Sequence, residues 1–138
     1  MTPMHRIDYV ILYVSDLSAS VRFYRDVLGL PFKFEDRGYA EFSTGGARFG
    51  LFDRRLLPDL IGSASEQAPG GPSGEVLILV DDVDTEYDRL SSAGARILSG
   101  PVDRPWGHRT LHLADLDGNV VEIAQEISRA VPRSDRPA

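Results

Sequence analysis

The sequence contains no cysteine. A chain without thiols forms no disulfide, binds no metal through thiolate sulfur and has no cysteine nucleophile. It also has no long apolar run of the kind that crosses a bilayer, and its first residues, MTPMHRIDYV, lack the charged and then apolar pattern of a secretion signal. We therefore predict a cytoplasmic protein with no membrane partner.

Sequence motifs for several kinds of chemistry are also missing. There is no glycine-rich phosphate loop between a strand and a helix, no nucleophile-elbow serine and no helix-borne His-Glu-x-x-His motif. The 15 basic residues are outnumbered by 21 acidic ones, which gives a net charge of −6. Nucleic-acid binding needs basic patches that attract phosphate, so nucleic acid is not a predicted partner.

The most informative feature that is present is an internal repeat. The stretches SDLSASVRFYRDVLGL and DDVDTEYDRLSSAGA both predict a helix with one apolar face. Asp16 is placed to cap the first helix, and Gly29 stands where a left-handed residue would end it. Asp82 and Gly94 occupy the same places in the second helix. The two halves of the chain therefore share one local pattern.

Strands complete each half of the repeat. An apolar strand precedes each helix and about three strands follow it. We therefore predict an α+β fold of two tandem βαβββ modules, residues 1–57 and 75–127, that form one structural domain. Residues 58–74, rich in Pro and Gly, are predicted to be a linker, and residues 128–138 a disordered tail. Turns between antiparallel strands are predicted at Gly45-Gly46 and Asp117-Gly118.

This duplication, with DLSASVRFYRDVLGL early and DLDGNVVEIAQ late, resembles the vicinal oxygen chelate superfamily over residues 6–127. That superfamily includes glyoxalases, bleomycin-resistance proteins, fosfomycin-resistance enzymes and extradiol dioxygenases. The resemblance implies that the two modules join edge to edge, so that a curved mixed sheet surrounds a cup. It also implies a homodimer.

The resemblance further implies where a metal ion would bind. Enzymes of the superfamily place His or Glu ligands on the first and last strands of each module, positions that fall here on Tyr9, Gly50, Glu75 and Glu122. Gly50 has no side chain, and the neutral phenol of Tyr9, with a pKa of about 10, is a poor ligand. Two carboxylates alone suit a weakly held cation better than a catalytic site. We therefore predict no metal and no other cofactor.

Strand alternation adds one candidate metal ligand, His112, and leaves an enzyme as the alternative to a binding protein. His112 should point away from Leu111 and Leu113, towards the face that carries Glu75 and Glu122. These three residues would then hold one divalent metal and act as the catalytic groups of a lyase, isomerase or dioxygenase acting on a small carbonyl or aromatic substrate. An enzyme without metal would use a glutamate as general base. The simpler interpretation of His112 is a hydrogen-bonding group in a polar pocket.

Aromatic residues dominate the rest of the predicted cup. Rigid rings suit stacking against a planar ligand, and Trp106 lies in a Pro-Trp-Gly turn just before the strand of His112. This turn also resembles the bleomycin-resistance branch, whose members bind a drug without transforming it. His108 is expected to be a turn residue near the rim. The predicted ligand-binding residues are Tyr9, Tyr13, Tyr39, Glu41, Phe52, Glu75, Trp106, His112 and Glu122.

The first hypothesis from the sequence is thus a binding protein. It would sequester a hydrophobic or aromatic natural product or antibiotic without metal, as a self-resistance protein, and its glutamates would attract a basic ligand. The alternative is an enzyme of the same superfamily. A small-molecule carrier with no resistance role is a third possibility.

Overall fold

The computed structural model describes residues 9–56 and 75–127, together with Ile7, Pro58 and Asp59. Two compact units divide the chain, Met1–Ala68 and Pro69–Ala138. Each unit holds one mixed four-stranded sheet and one principal helix, so the predicted α+β fold of two modules is confirmed. Residues 60–74 of the predicted linker and the predicted tail, 128–138, lie outside the described residues.

The first unit follows the order strand, helix, three strands. The strand order in its sheet is β1-β4-β3-β2, with β1 parallel to β4 and the other neighbours antiparallel. The helix continues as a π-helical segment, Phe23–Val27, and a 3₁₀ turn, Arg54–Leu56, follows the last strand. The regular elements are β1 (Tyr9–Val14), α1 (Leu17–Arg22), β2 (Phe32–Asp36), β3 (Tyr39–Phe42) and β4 (Arg48–Asp53).

The second unit repeats this order. Its sheet has the order β5-β8-β7-β6, and β5 is parallel to β8. No helix among the described residues is long and apolar enough to span a membrane. The elements are β5 (Glu75–Leu79), α2 (Val83–Ser92), β6 (Arg96–Arg104), β7 (His108–Ala114) and β8 (Val120–Glu126).

The predicted helix boundaries are observed in both units. The Asp16 carboxylate accepts a hydrogen bond from the backbone N of Ala19 at 3.0 Å. Asp82 caps α2 by accepting from two backbone N–H groups, at 3.0 and 3.2 Å. Gly29 and Gly94 have φ angles of 84° and 82°, the left-handed geometry that ends a helix. Local sequence alone thus explains where each helix begins and stops.

Each sheet packs its helix against one face. In the first unit the Tyr24 ring lies 5.0 Å from the ring of Phe49 on β4. In the second, Gln125 of β8 accepts a hydrogen bond from the backbone N of Val83 at 2.9 Å. The opposite face of each sheet, here called the site face, carries the predicted functional residues because side chains alternate along a strand. These are Tyr9, Tyr13, Tyr39, Glu41 and Phe52 in the first unit, and Glu75, His112 and Glu122 in the second; Gly50 and Thr110 lie on the same faces.

Candidate metal and ligand site

Three side chains with metal-binding chemistry meet on the site face of the second unit. Glu75 begins β5, and His112 on β7 pairs directly with Glu122 on β8. His112 Nε2 lies 3.4 Å from Glu122 Oε1 and 3.9 Å from Glu75 Oε2. One potential ligand atom from each residue falls within 4.8 Å of the other two. Bonds of about 2.0–2.6 Å to a shared ion require separations below about 5 Å, which this cluster meets.

The environment of the cluster favours a neutral imidazole. Burial lowers the pKa of His112; the Glu75 carboxylate opposes this shift and the Arg104 guanidinium adds to it. A metal ion binds the neutral form of histidine. The side chain of Glu122 is 10% exposed and that of Glu75 is 41% exposed, so the two carboxylates differ mainly in burial.

The turn between β7 and β8 fixes the pairing of His112 with Glu122. The Asp115 carboxylate accepts hydrogen bonds from the backbone N of Asp117 and of Asn119, at 2.9 and 2.8 Å. Gly118, at φ 82°, supplies the left-handed residue of this turn. A shift of one residue in the register would move Glu122 to the helix face of the sheet. The DLDGN segment therefore positions the cluster without belonging to it.

The first unit has the same framework with different side chains. Glu41 pairs with Gly50 in the β3–β4 ladder, as His112 pairs with Glu122 in the β7–β8 ladder. The ring of Tyr39 lies across the backbone of Gly50, where an added Cβ would be 2.5 Å from Tyr39 Cε1. The space that a ligand side chain would need at this position is thus filled by an aromatic ring.

Two side chains of the first unit, those of Tyr39 and Lys33, contact the Glu41 carboxylate. The Tyr39 hydroxyl donates a hydrogen bond to Glu41 at 2.8 Å, and Lys33 Nζ lies 3.3 Å from the same carboxylate. The Tyr39 hydrogen bond lowers the pKa of Glu41, burial opposes this shift, and Lys33 adds to it. Burial raises the pKa of Tyr39 well above its ordinary value, and the neighbouring carboxylate adds to this effect. The Glu41 carboxylate is thus paired with a hydrogen-bond donor and a positive charge from its own unit, and these three residues have a structural role.

Tyr9 is also engaged within the first unit. Its hydroxyl accepts a hydrogen bond from Arg48 Nη1 at 2.7 Å, and the guanidinium carbon lies 5.0 Å from the centre of its ring. These contacts and the filled space at Gly50 make the first unit a poor source of metal ligands. Among the residues that the structure describes, the donor set that fits an ion lies in the second unit.

The remaining predicted ligand-binding residues differ in exposure. Tyr9 and Tyr13 are 45% and 43% exposed, and the Tyr13 ring meets Phe52 edge-on at 6.4 Å. Phe52, Tyr39 and the turn residue Trp106 are half-buried. Since Tyr39 is held by Glu41, the two exposed tyrosines are the rings of this set most open to a ligand.

One expectation about histidine is wrong. His108 is not a rim residue: it begins β7 and is only 2% exposed. Gly107, at φ 90°, completes the preceding turn, so the chain is already in the sheet at His108.

Two arginines on the site face, Arg48 and Arg104, were not among the residues predicted from the sequence. Alternation along β4 could have placed Arg48 beside Gly50 and Phe52. Arg104 ends β6, a strand with two irregularities in its pairing with β7, and no simple alternation marks it.

Comparison with known proteins identifies the family. The sequence profile of the Glyoxalase/Bleomycin resistance protein/Dioxygenase superfamily matches residues 6–123, and the chain belongs to this superfamily. The uncharacterized protein YraH of Bacillus subtilis is 34% identical over 117 residues, covering 81% of this chain and 91% of YraH. A crystal structure of a glyoxalase/bleomycin resistance protein/dioxygenase from Nocardioides has a TM-score of 0.80 at 27% identity, covering 96% of this chain and 90% of that one.

Two further relatives have names that state an activity. The metallothiol transferase FosB of Staphylococcus haemolyticus is 26% identical over 117 residues, covering 85% of this chain and 81% of FosB. A probable lactoylglutathione lyase of Vibrio cholerae is 28% identical over 128 residues, covering 88% of this chain and 91% of that protein. Membership of the superfamily leaves both catalysis and binding open for this chain.

Proposed function

We propose that the protein is a metal-dependent enzyme that binds a divalent cation through Glu75, His112 and Glu122 and acts on a small molecule held at that cation. The observation that supports this most strongly is the convergence of three ligand atoms within 4.8 Å. It reverses the preference drawn from the sequence, because alternation placed His112 on the right face but could not give its distances to the two carboxylates. A transferase and a lyase among the relatives also favour catalysis over passive binding.

The chemistry of the donor set suits this role. Two carboxylates and one imidazole match the preferences of zinc, manganese or ferrous ions, and three protein ligands leave positions open for a small molecule. Such an ion, when bound, supplies a Lewis acid that polarises a substrate oxygen. The side chain of Glu122 is nearly buried, while that of Glu75 remains open to solvent and is the better placed of the two to act as a general base.

The test is metal content. Untagged protein, purified without chelator and then exposed to zinc, manganese, nickel and ferrous iron, should retain about one ion per chain by elemental analysis. His112→Ala should abolish retention. Glu41→Gln is the matched control, since Glu41 holds the equivalent position in the first unit and should leave metal binding unchanged. Wild-type protein that retains none of these ions would refute the proposal.

Metal-free sequestration of an aromatic compound, such as an antibiotic, is the second candidate. It is favoured by Tyr9 and Tyr13, which are 45% and 43% exposed on the site face of the first unit. Quenching of Trp106 fluorescence at a fixed stoichiometry by a compound that is recovered intact would support it. Recovery of a chemically altered compound at catalytic turnover would exclude it and favour the enzyme.

We also propose that the protein is a homodimer. β1 is an edge strand of its sheet, and Tyr9, Val10 and Ile11 are 45%, 40% and 42% exposed. An exposed apolar edge strand tends to associate with another chain. Light scattering after size-exclusion chromatography should give the mass of two chains, and a monomer at micromolar concentration would contradict this.

A further inference from the structure

The side chain of Arg104 is fixed on the site face of the second unit. β6 pairs with β7 so that Arg104 lies opposite His108 and Val102 lies opposite Thr110. Arg104 Nε donates a hydrogen bond to Thr110 Oγ1 at 2.9 Å, and Thr110 is fully buried. A buried hydroxyl thus holds one edge of the guanidinium in place.

This hydrogen bond places the guanidinium beside the metal-binding cluster. Thr110 and His112 are two positions apart on β7, so they point to the same face about 7 Å from each other. Arg104 is therefore a neighbour of the cluster formed by Glu75, His112 and Glu122.

The rest of the guanidinium is available to a ligand. An arginine side chain carries five N–H donors in a planar fork, and the bond to Thr110 uses one of them. Among residues 9–56 and 75–127, no carboxylate forms an ion pair with Arg104. Arg109, on the next strand, is different: its guanidinium lies 2.7 Å from Asp103 and 3.1 Å from Asp84. Of these two arginines, only Arg104 is held by a neutral group alone.

Charge balance then indicates what this fork would bind. A divalent cation is neutralised by the carboxylates of Glu75 and Glu122, so Arg104 would leave the loaded site with one net positive charge. Guanidinium forks bind carboxylates and phosphates through two parallel hydrogen bonds. A ligand with an oxyanion group could contact the ion and Arg104 together.

We propose that Arg104 forms an oxyanion subsite next to the Glu75–His112–Glu122 cluster, so that the small molecule bound there carries a carboxylate or phosphate group. The inference rests on the proposed metal-dependent function and names the class of its substrate. Arg104 would position the substrate, whereas the cluster would hold the cation.

Titration calorimetry with three small probes tests the subsite. Manganese-loaded protein should bind glycolate or methyl phosphate at least tenfold more tightly than neutral glycolamide. The anion that binds more tightly shows whether the subsite prefers a carboxylate or a phosphate. Arg104→Gln should weaken the binding of that anion about 10- to 100-fold without weakening the binding of manganese. Arg109→Gln is the matched control and should bind the anion as wild type does. Arg104→Lys keeps the charge but loses the fork, and should fall between wild type and Arg104→Gln.

The outcomes separate this inference from the proposed function. If manganese binds but neither anion is preferred to glycolamide, or if Arg104→Gln binds the anion as wild type does, the subsite is refuted and the metal site stands. If no metal binds, the proposed function fails, and the same titrations on metal-free protein decide the subsite. Arg104-dependent anion binding there would support it, and its absence would overturn it.

Discussion

The imidazole of His112 lies 3.4 Å from the carboxylate of Glu122, at directly paired positions of the β7–β8 ladder. The Glu122 side chain is 10% exposed, whereas that of Glu75, also near His112, is 41% exposed. An ionised carboxylate in a buried place needs a hydrogen-bonded or charged partner more than an exposed one does. The two glutamates should therefore contribute unequally to any bound cation.

We expect Glu122→Gln to weaken binding of zinc or manganese roughly tenfold more than Glu75→Gln does, because Glu122 is the better desolvated ligand. Titration calorimetry on both variants and on wild type measures the difference. Circular dichroism at the same temperature checks that both variants are folded. Equal and negligible effects of the two substitutions would mean that this cluster is not where function lies.

A second prediction concerns Gly50. A Cβ at this position would lie 2.5 Å from Tyr39 Cε1 and 2.6 Å from the Tyr39 hydroxyl, and moving the ring would break its hydrogen bond to Glu41. Gly50→Ala should therefore lower the free energy of unfolding in urea by about 1–3 kcal/mol.

The control for Gly50 is Gly45→Ala. Nothing lies within 4 Å of a Cβ added at Gly45, so this change should stay within about 0.5 kcal/mol of wild type. If both alanine variants unfold at the same urea concentration, the packing of Tyr39 on Gly50 is not tight.

A third prediction concerns acid stability. The Tyr39 hydrogen bond, aided by Lys33 and opposed by burial, lowers the pKa of Glu41 from its ordinary value of 4.5. A carboxyl whose pKa is lowered by folding stabilises the folded state above its ordinary pKa, and this contribution is lost as the pH falls through the folded-state value. The Tm of Glu41→Gln should thus lie a few degrees below that of wild type at pH 7.

The difference in Tm should shrink as the pH falls below 4.5, the ordinary pKa, and disappear once wild-type Glu41 is protonated. Thermal unfolding at pH 7, 5, 4 and 3 follows it. Glu35→Gln, an exposed change on β2, controls for the loss of one negative charge. A difference that stays constant with pH would mean that ionisation of Glu41 does not stabilise the fold.

Much of the fold could be predicted because its signals are local. Asp16 and Asp82 cap helices through backbone groups a few residues away, and Gly29 and Gly94 end them with left-handed geometry. The Asp117-Gly118 turn fixes the β7–β8 hairpin in the same way. These features depend on neighbouring residues alone, so they can be recognised without knowledge of the tertiary structure.

The candidate site was only partly predictable because its geometry depends on the strand order. Alternation assigned Glu75, His112 and Glu122 to one face, but their closeness follows from β8 lying between β5 and β7. The Tyr39 ring occupies the space beside Gly50 because β3 pairs with β4 and because the hydrogen bond to Glu41 fixes the orientation of the Tyr39 side chain. Arg104 was not predicted because its strand pairs irregularly with β7, and its only side-chain hydrogen bond among the described residues, to Thr110, depends on that pairing.

The last prediction concerns Trp106, which lies half-buried in the turn between β6 and β7 and is the only tryptophan. None of the ring pairs among the described residues includes its indole. Arg104 lies two residues before it in the chain. An aromatic ligand held at Arg104 by its carboxylate could therefore stack on the indole.

Salicylate, which has a ring, and glycolate, which has none, separate stacking from charge recognition. Trp106→Ala should weaken salicylate binding by about 1–3 kcal/mol and leave glycolate binding and the Tm nearly unchanged. Trp106→Phe, which keeps an aromatic ring, should restore most of the salicylate affinity. Because the alanine variant has no tryptophan fluorescence, calorimetry is the appropriate measurement. Unchanged salicylate affinity would remove Trp106 from the ligand site, whereas equal losses for both acids would mean that the substitution disturbs the turn that carries Arg104.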